Sequence, residues 1–250
     1  MASPAIRPKD LHGTEDLFYR EAMQSPKRFQ AISALLTAVV LLCCAPAAQA
    51  AAAQGKVCVL VYHSFLGDKP FPSDISLQEL KTQLDSLKNH GYRFVSLSDI
   101  LAGAVQGPKN ILVSIDDGNQ SVYQAYQAVF KPRGITPLLC IYPNIIGKKA
   151  YALTWEQLGE LARAGCDIAA HGFYHFPLNQ KAYEADPGAF RKEIFHSRET
   201  LEKRLNITVR AFAYPNGVND PITRQTVQAA GYACAFTVVW GPVLCPVGSN

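Results

Sequence analysis

An α/β fold, a distorted (β/α) barrel of about seven parallel strands, is what the order of apolar runs in this chain predicts. Three observations carry that reading. Short, nearly continuous aliphatic runs, as in strands buried on both faces, alternate with segments whose apolar residues recur at helical spacing. No internal repeat or long linker divides residues 51–250, and 200 residues are enough for one well-buried domain. Residues able to do chemistry cluster where the strand runs end, the rim on which such barrels keep their sites.

The elements follow in order. Lys56-Val57-Cys58-Val59-Leu60-Val61-Tyr62-His63 reads as the first strand, followed by a loop containing Gly67, Pro70 and Pro72. Ser76 caps a helix with Leu77, Leu80, Leu84 and Leu87 on one face, ending near His90-Gly91. Residues 93–97 form a short second strand and residues 99–104 a small helix. The third strand, Ile111-Leu112-Val113-Ser114-Ile115-Asp116-Asp117-Gly118, ends in two carboxylates and a glycine. A helix over 120–131 is closed by Pro132-Arg133-Gly134, and residues 136–141 give the fourth strand. Thr154 caps a helix over 155–164. The fifth strand leads into Asp167-Ile168-Ala169-Ala170-His171-Gly172-Phe173-Tyr174-His175. A helix over 190–205 carries a run of charges that reads as a solvated face. Residues 209–213 form the sixth strand, opening into Tyr214-Pro215-Asn216-Gly217. Pro221 starts a helix to about Ala230, and residues 232–239 make the seventh strand.

Adjacent carboxylates at Asp116 and Asp117 repel unless a cation or a shared proton relieves them. A divalent ion on one would leave the other free as a base. Gly118 permits the backbone angle that can bring both to one mouth. His171 and His175, four apart, lie close enough in a helical turn or tight loop to hold one ion. Two imidazoles and one carboxylate leave positions open for water and substrate, the pattern of a catalytic rather than a structural centre. His63, at the end of the first strand, either lines that site or braces a loop.

Residues 23–50 read as a signal peptide: Lys27-Arg28, an apolar stretch from Ala31 to Ala45, and a small-residue cleavage site at Ala48-Gln49-Ala50. Residues 1–22, polar and mixed in charge, read as an over-extended N-terminus ahead of a true start at Met23. The expected location is secreted or periplasmic, with an uncleaved, membrane-anchored form as the alternative. A net charge of +4 without a basic stripe argues against nucleic acid as a partner and fits a neutral or weakly anionic substrate. Two of the seven cysteines lie in the signal segment. Cys58, Cys140 and Cys234 sit in apolar strand runs as small hydrophobes, and no C-x-x-C spacing points to a cysteine metal site.

With Ser114-Ile115-Asp116-Asp117-Gly118, His171-x-x-x-His175 and Phe212-Ala213-Tyr214-Pro215-Asn216-Gly217 in that order, the chain resembles the polysaccharide deacetylase family of carbohydrate esterases over roughly residues 56–242. Val61-Tyr62-His63-Ser64 and the stretch from His90 to Leu97 resemble the branch containing poly-N-acetylglucosamine deacetylases. The resemblance implies hydrolysis of N-acetyl or O-acetyl groups on a cell-wall or extracellular polysaccharide, with residues 51–250 as the catalytic domain. It implies Asp116 as general base and Asp117, His171 and His175 as ligands of a divalent metal, zinc first and cobalt or nickel next. Tyr214, Pro215, His63 and Asn216 would contact substrate, with a backbone N–H near Tyr214 facing the oxyanion and Phe173, Tyr174 or Trp240 stacking on sugar rings. The implied partner is an N-acetylglucosamine polymer or peptidoglycan, and the chain is expected to act as a monomer.

Two departures from the family pattern stand out. Ala213 occupies the place where many members carry an arginine beside the base, and Arg210 is expected to face elsewhere. No histidine follows His196, so the family's Leu-x-His general acid has no counterpart. Residues 239–250 are expected to end where a last element should stand, leaving a truncated barrel with an exposed strand edge. The alternative is a non-catalytic carbohydrate-binding relative.

Overall fold

The computed structural model describes residues 55–68, 73–239 and 241–245. The expected over-extended N-terminus, the signal peptide and Trp240 lie outside the described residues.

Seven strands run parallel: β1 (Gly55–Tyr62), β2 (Arg93–Phe94), β3 (Asn110–Asp117), β4 (Leu138–Ile141), β5 (Asp167–Ala170), β6 (Ala211–Ala213) and β7 (Cys234–Phe236). An eighth, β8 (Val243–Cys245), was not expected and pairs antiparallel with the start of β1, Gly55 opposite Cys245. The continuous order is β7-β6-β5-β4-β3-β1-β8, a curled sheet in which β7 and β8 are the outer strands. On the edge of β3 away from β1, β2 pairs with the first two residues and β4 with the last four. Residues 243–245 thus supply a short strand near the expected gap, and it covers only Gly55–Val57 of β1.

The helices between strands are α1 (Leu77–Asn89), α2 (Leu97–Leu101), α3 (Ser121–Ala125), α4 (Trp155–Arg163), α5 (Gln180–Ala185), α6 (Pro187–Leu205) and α7 (Pro221–Ala229). Capping side chains mark most of their starts. Ser76 with Glu79, Ser96 with Asp99 and Thr154 with Gln157 form reciprocal boxes, while Asp186 and Asp220 cap helices that open on proline. Each such cap contributes about 1 kcal/mol. The box at Ser96 ends the second strand earlier than expected, because Leu97 already belongs to α2. The expected helix over 120–131 is regular only to Ala125, then widens into a π-helical turn over Tyr126–Phe130. Helix α5 escaped the sequence reading.

Period-2 alternation divides the core into two layers. Ile111, Val113 and Ile115 of β3, with Leu139, Ile141, Ile168 and Phe212, face outward onto Leu80, Leu84, Val129, Leu158, Ile194 and Leu201 of the helical layer. Leu112, Leu138, Cys140, Ala169, Ala211 and Ala213 face inward, and Leu97 and Ile100 of α2 pack with them. The inner layer is built largely of small residues, which leaves room for polar side chains toward the strand C-termini. Cys58 corrects one expectation: it is exposed, on the outward side of β1.

Candidate metal centre and active site

Strand register explains why residues far apart in sequence meet. Asp117 of β3 pairs with Ile141 of β4, Ile141 with Ala170 of β5, and Ala170 with Phe212 of β6. One step beyond that row stand His171 and Ala213, and the His171 N–H donates to the Ile141 carbonyl at 2.9 Å. Alternation directs Asp116 into the barrel beside Ser114 and Cys140. It would direct Asp117 outward, but Asp117 takes φ 74° and the Gly118 N–H donates back to the Asp116 carbonyl at 3.0 Å. That tight turn, of the rare positive-φ kind, swings Asp117 to the mouth. Gly118 follows at φ 87°, where an added Cβ would meet Ile146 and Ile141 at 3.0 and 3.1 Å.

The three expected ligands converge. His171 Nε2 and His175 Nε2 lie 3.1 Å apart, and Asp117 Oδ1 lies 3.8 and 3.5 Å from them. Ligands about 2.0–2.1 Å from a common ion at tetrahedral angles stand roughly 3.3 Å apart, so this triangle fits a single transition-metal ion. His171 is buried, and its Nδ1 lies 2.9 Å from the carbonyl oxygen of Ala213. A carbonyl only accepts, so Nδ1 carries the proton and the Nε2 lone pair is turned toward Asp117. The position that lacks the arginine thus still serves the site through its backbone. Burial holds the His175 imidazole below its usual protonation range, and the neighbouring His171 adds to this. Both effects favour the neutral, ligating form.

Asp116, the expected base, receives a hydrogen bond from Ser114 Oγ on Oδ1 at 3.1 Å, and Ser114 Oγ also contacts Cys140 Sγ at 3.3 Å. Burial pushes the Cys140 thiol well above its ordinary range, with the Asp116 charge adding, so it stands beside the base as a neutral group. Arg210 faces elsewhere, as expected: its Nη2 donates to Ser98 Oγ at 2.8 Å at the opposite end of the strands.

The expected substrate residues divide. His63 is half-buried at the end of β1, near enough to His175 for its charge to disfavour a proton there. Tyr214 is buried, its ring edge-on to Phe212 at 5.5 Å. Its N–H donates to the Phe236 carbonyl at 3.0 Å and is therefore spent, so an N–H near Tyr214 that faces an oxyanion would have to come from a neighbour. Pro215 packs against the histidine loop, and Asn216 is exposed in a left-handed turn at φ 56°. Phe173 is buried under His196 and Lys192 and offers no face to a sugar, whereas Tyr174 and Phe176 stack on each other at 5.5 Å and are both exposed.

Two residues escaped the sequence reading. Tyr142, immediately after β4, places its ring 5.2 Å from that of His175, and burial pushes its phenol upward. A tyrosine one step past a strand end was the available signal. Glu193, read as part of a solvated charge run, is 2% exposed and turned inward onto the histidine loop. It falls in the stripe of Phe190, Ile194, Ser197 and Leu201, a spacing that marks the buried face of α6.

The chain is similar to known proteins over most of these strands. The polysaccharide deacetylase family model matches residues 103–235, more than half of the chain. The solved structure of IcaB from Ammonifex degensii superposes with a TM-score of 0.65 and 31% identity, covering 74% of this chain and 84% of that one. YxkH of Bacillus subtilis is 25% identical over 192 residues, 73% of this chain and 64% of its own length. The poly-beta-1,6-N-acetyl-D-glucosamine N-deacetylase of Staphylococcus epidermidis is 26% identical over 173 residues, 64% of this chain and 60% of its own. The chain thus spans somewhat under two thirds of the length of these two curated relatives. A family match across β3 to β7, and a shared fold at 31% identity, establish that the chain belongs to the polysaccharide deacetylase family.

Proposed function

We propose that this protein is a secreted or periplasmic metal-dependent deacetylase that hydrolyses acetyl groups on an extracellular polysaccharide, an N-acetylglucosamine polymer or peptidoglycan. The observation that carries this reading is the triangle of His171 Nε2, His175 Nε2 and Asp117 Oδ1, with edges of 3.1, 3.5 and 3.8 Å, one residue from a second carboxylate. An ion held there, zinc first and cobalt or nickel next, would supply Lewis acidity toward the acetamide carbonyl and lower the pKa of water.

The protein's own groups do the rest. The bond from Ser114 fixes one oxygen of Asp116 and leaves the other to accept the proton of the attacking water. The carbon–nitrogen bond then breaks. The proton gained by Asp116 balances the reaction if it passes to the departing amine nitrogen, leaving acetate and a free amino sugar. The exposed Tyr174 and the half-buried Tyr142 stand beside the mouth, where flat sugar faces would pass.

The test is acetate release from N-acetylglucosamine oligomers by purified protein with zinc or cobalt. Chelation should stop it, metal should restore it, and Asp116→Asn should lower kcat about 1,000-fold. Equal, slow release by wild type and Asp116→Asn, with both binding the oligomer, would instead identify a carbohydrate-binding relative without turnover. A precursor-sized species in a membrane fraction would replace the secreted location with an anchored one.

A further inference from the structure

The loop between the two histidine ligands, residues 172–175, has little regular structure of its own. Gly172 takes φ 76° and His175 φ 67°, yet both imidazoles are aimed at one point. Helix α6 holds that loop from behind. The Glu193 carboxylate accepts from the Phe173 N–H at 2.9 Å, from the Tyr174 N–H at 3.0 Å on each oxygen, and from the Phe176 N–H at 3.4 Å. Four residues on, and so on the same face of the helix, Ser197 Oγ donates to the Gly172 carbonyl at 2.8 Å. A Cβ on Gly172 would lie 2.7 Å from Glu193 Oε2 and 3.1 Å from Pro215 Cγ, so the loop is clamped between α6 and the turn after β6.

A carboxylate at 2% exposure is costly unless it is hydrogen-bonded, and here the bonds come from consecutive backbone amides. The loop β1 leads into is built on the same plan. Buried Asp74 accepts from Ser64 Oγ at 2.6 Å and from the Leu66 and Gly67 amides at 2.8 Å each, just after His63. Among the described residues, the two buried carboxylates, Asp74 and Glu193, each fix a loop beside a rim histidine.

We infer that Glu193, with Ser197 behind it, is a positioning residue that presets His171 and His175 at ligating separation before any ion arrives. Glu193 touches neither imidazole; it acts through the amides of residues 173–176. This inference rests on the metal-site reading above and adds that affinity for the ion depends on α6.

Titration of the metal-free protein with cobalt, followed by its visible absorption, and with zinc by calorimetry, tests it. Glu193→Gln keeps the shape but sets an NH₂ against the loop amides. It should bind both ions 10- to 100-fold more weakly, with an altered cobalt spectrum, as expected when a supporting partner of a ligand is lost. Ser197→Ala should weaken binding several-fold. Tyr232→Phe removes another tie on α6, from Tyr232 Oη to the Ile194 carbonyl at 2.8 Å, and should leave both affinities unchanged even where it lowers the melting temperature. Wild-type affinity and spectrum in Glu193→Gln overturn the inference while leaving the metal site standing. A wild-type protein that binds neither ion removes the metal reading itself. Should Glu193→Gln fail to fold, Ser197→Ala and Glu193→Asp decide by the same criterion.

Discussion

The two ends of the strands solve opposite problems. At the N-terminal ends, charges are paired and the backbone is relaxed. Asp167, the first residue of β5, accepts from the hydroxyl and the amide of Ser98, and Arg210 closes the group; Asn110, the first residue of β3, is tied to Arg93 and to the carbonyls of Lys56 and Gly107. At the C-terminal ends, two adjacent carboxylates and two imidazoles crowd together. Among the described residues, three of the four non-glycine residues with positive φ, Asp117, His175 and Asn216, stand there. The fourth, Asn206, caps α6 at an ordinary helix end. Positive φ in such residues costs on the order of 1 kcal/mol and persists only where the surroundings impose it. The fold concentrates its local strain where an ion and a substrate would repay it.

Four perturbations sharpen or break that contrast. The largest is Asp116→Asn, with turnover down about 1,000-fold and zinc binding retained; steady-state kinetics beside calorimetry would show whether base and ligands are separable. Next, Asp117→Asn relieves like-charge crowding and suits the left-handed backbone. It should raise the stability of the metal-free protein by about 1 kcal/mol while zinc no longer raises its melting temperature. A loss of metal-free stability would mean that the strain at this end has been misjudged.

Third is pH. The His175 pKa is lowered by burial, so the folded protein binds fewer protons there than the unfolded chain. Stability of the metal-free protein should be full above about 6.5 and fall as pH drops through the lower folded value, a slope that His175→Gln removes. Toward the other end, the hydrogen bond from Arg133 lowers the exposed Asp85 carboxyl, so its contribution is present above the ordinary carboxylate range and lost only in stronger acid. Denaturant melts between pH 2 and 8 would separate the two. The smallest effect is expected from Ser98→Ala, under about 0.5 kcal/mol and without change in acetate release.

Much of this site was legible because its parts lie where periodicity changes. Continuous apolar runs located β3 and β5, and Asp116, Asp117, His171 and His175 stand at or just past the ends of those runs. What escaped was set by tertiary context. The Tyr214 amide could not be known to be spent until β7 lay beside β6. Glu193 was hidden by its charged neighbours Arg191 and Lys192, although its place in the buried stripe of α6 was readable. Strand β8 is three residues long, between Pro242 and Pro246, too short for any period to show.

The pairing of Gly55 with Cys245 also has a practical meaning. Both residues are buried at the entrance of β1, at the end of the strands away from the two histidines, so substitutions there would probe closure of the sheet without touching the mouth.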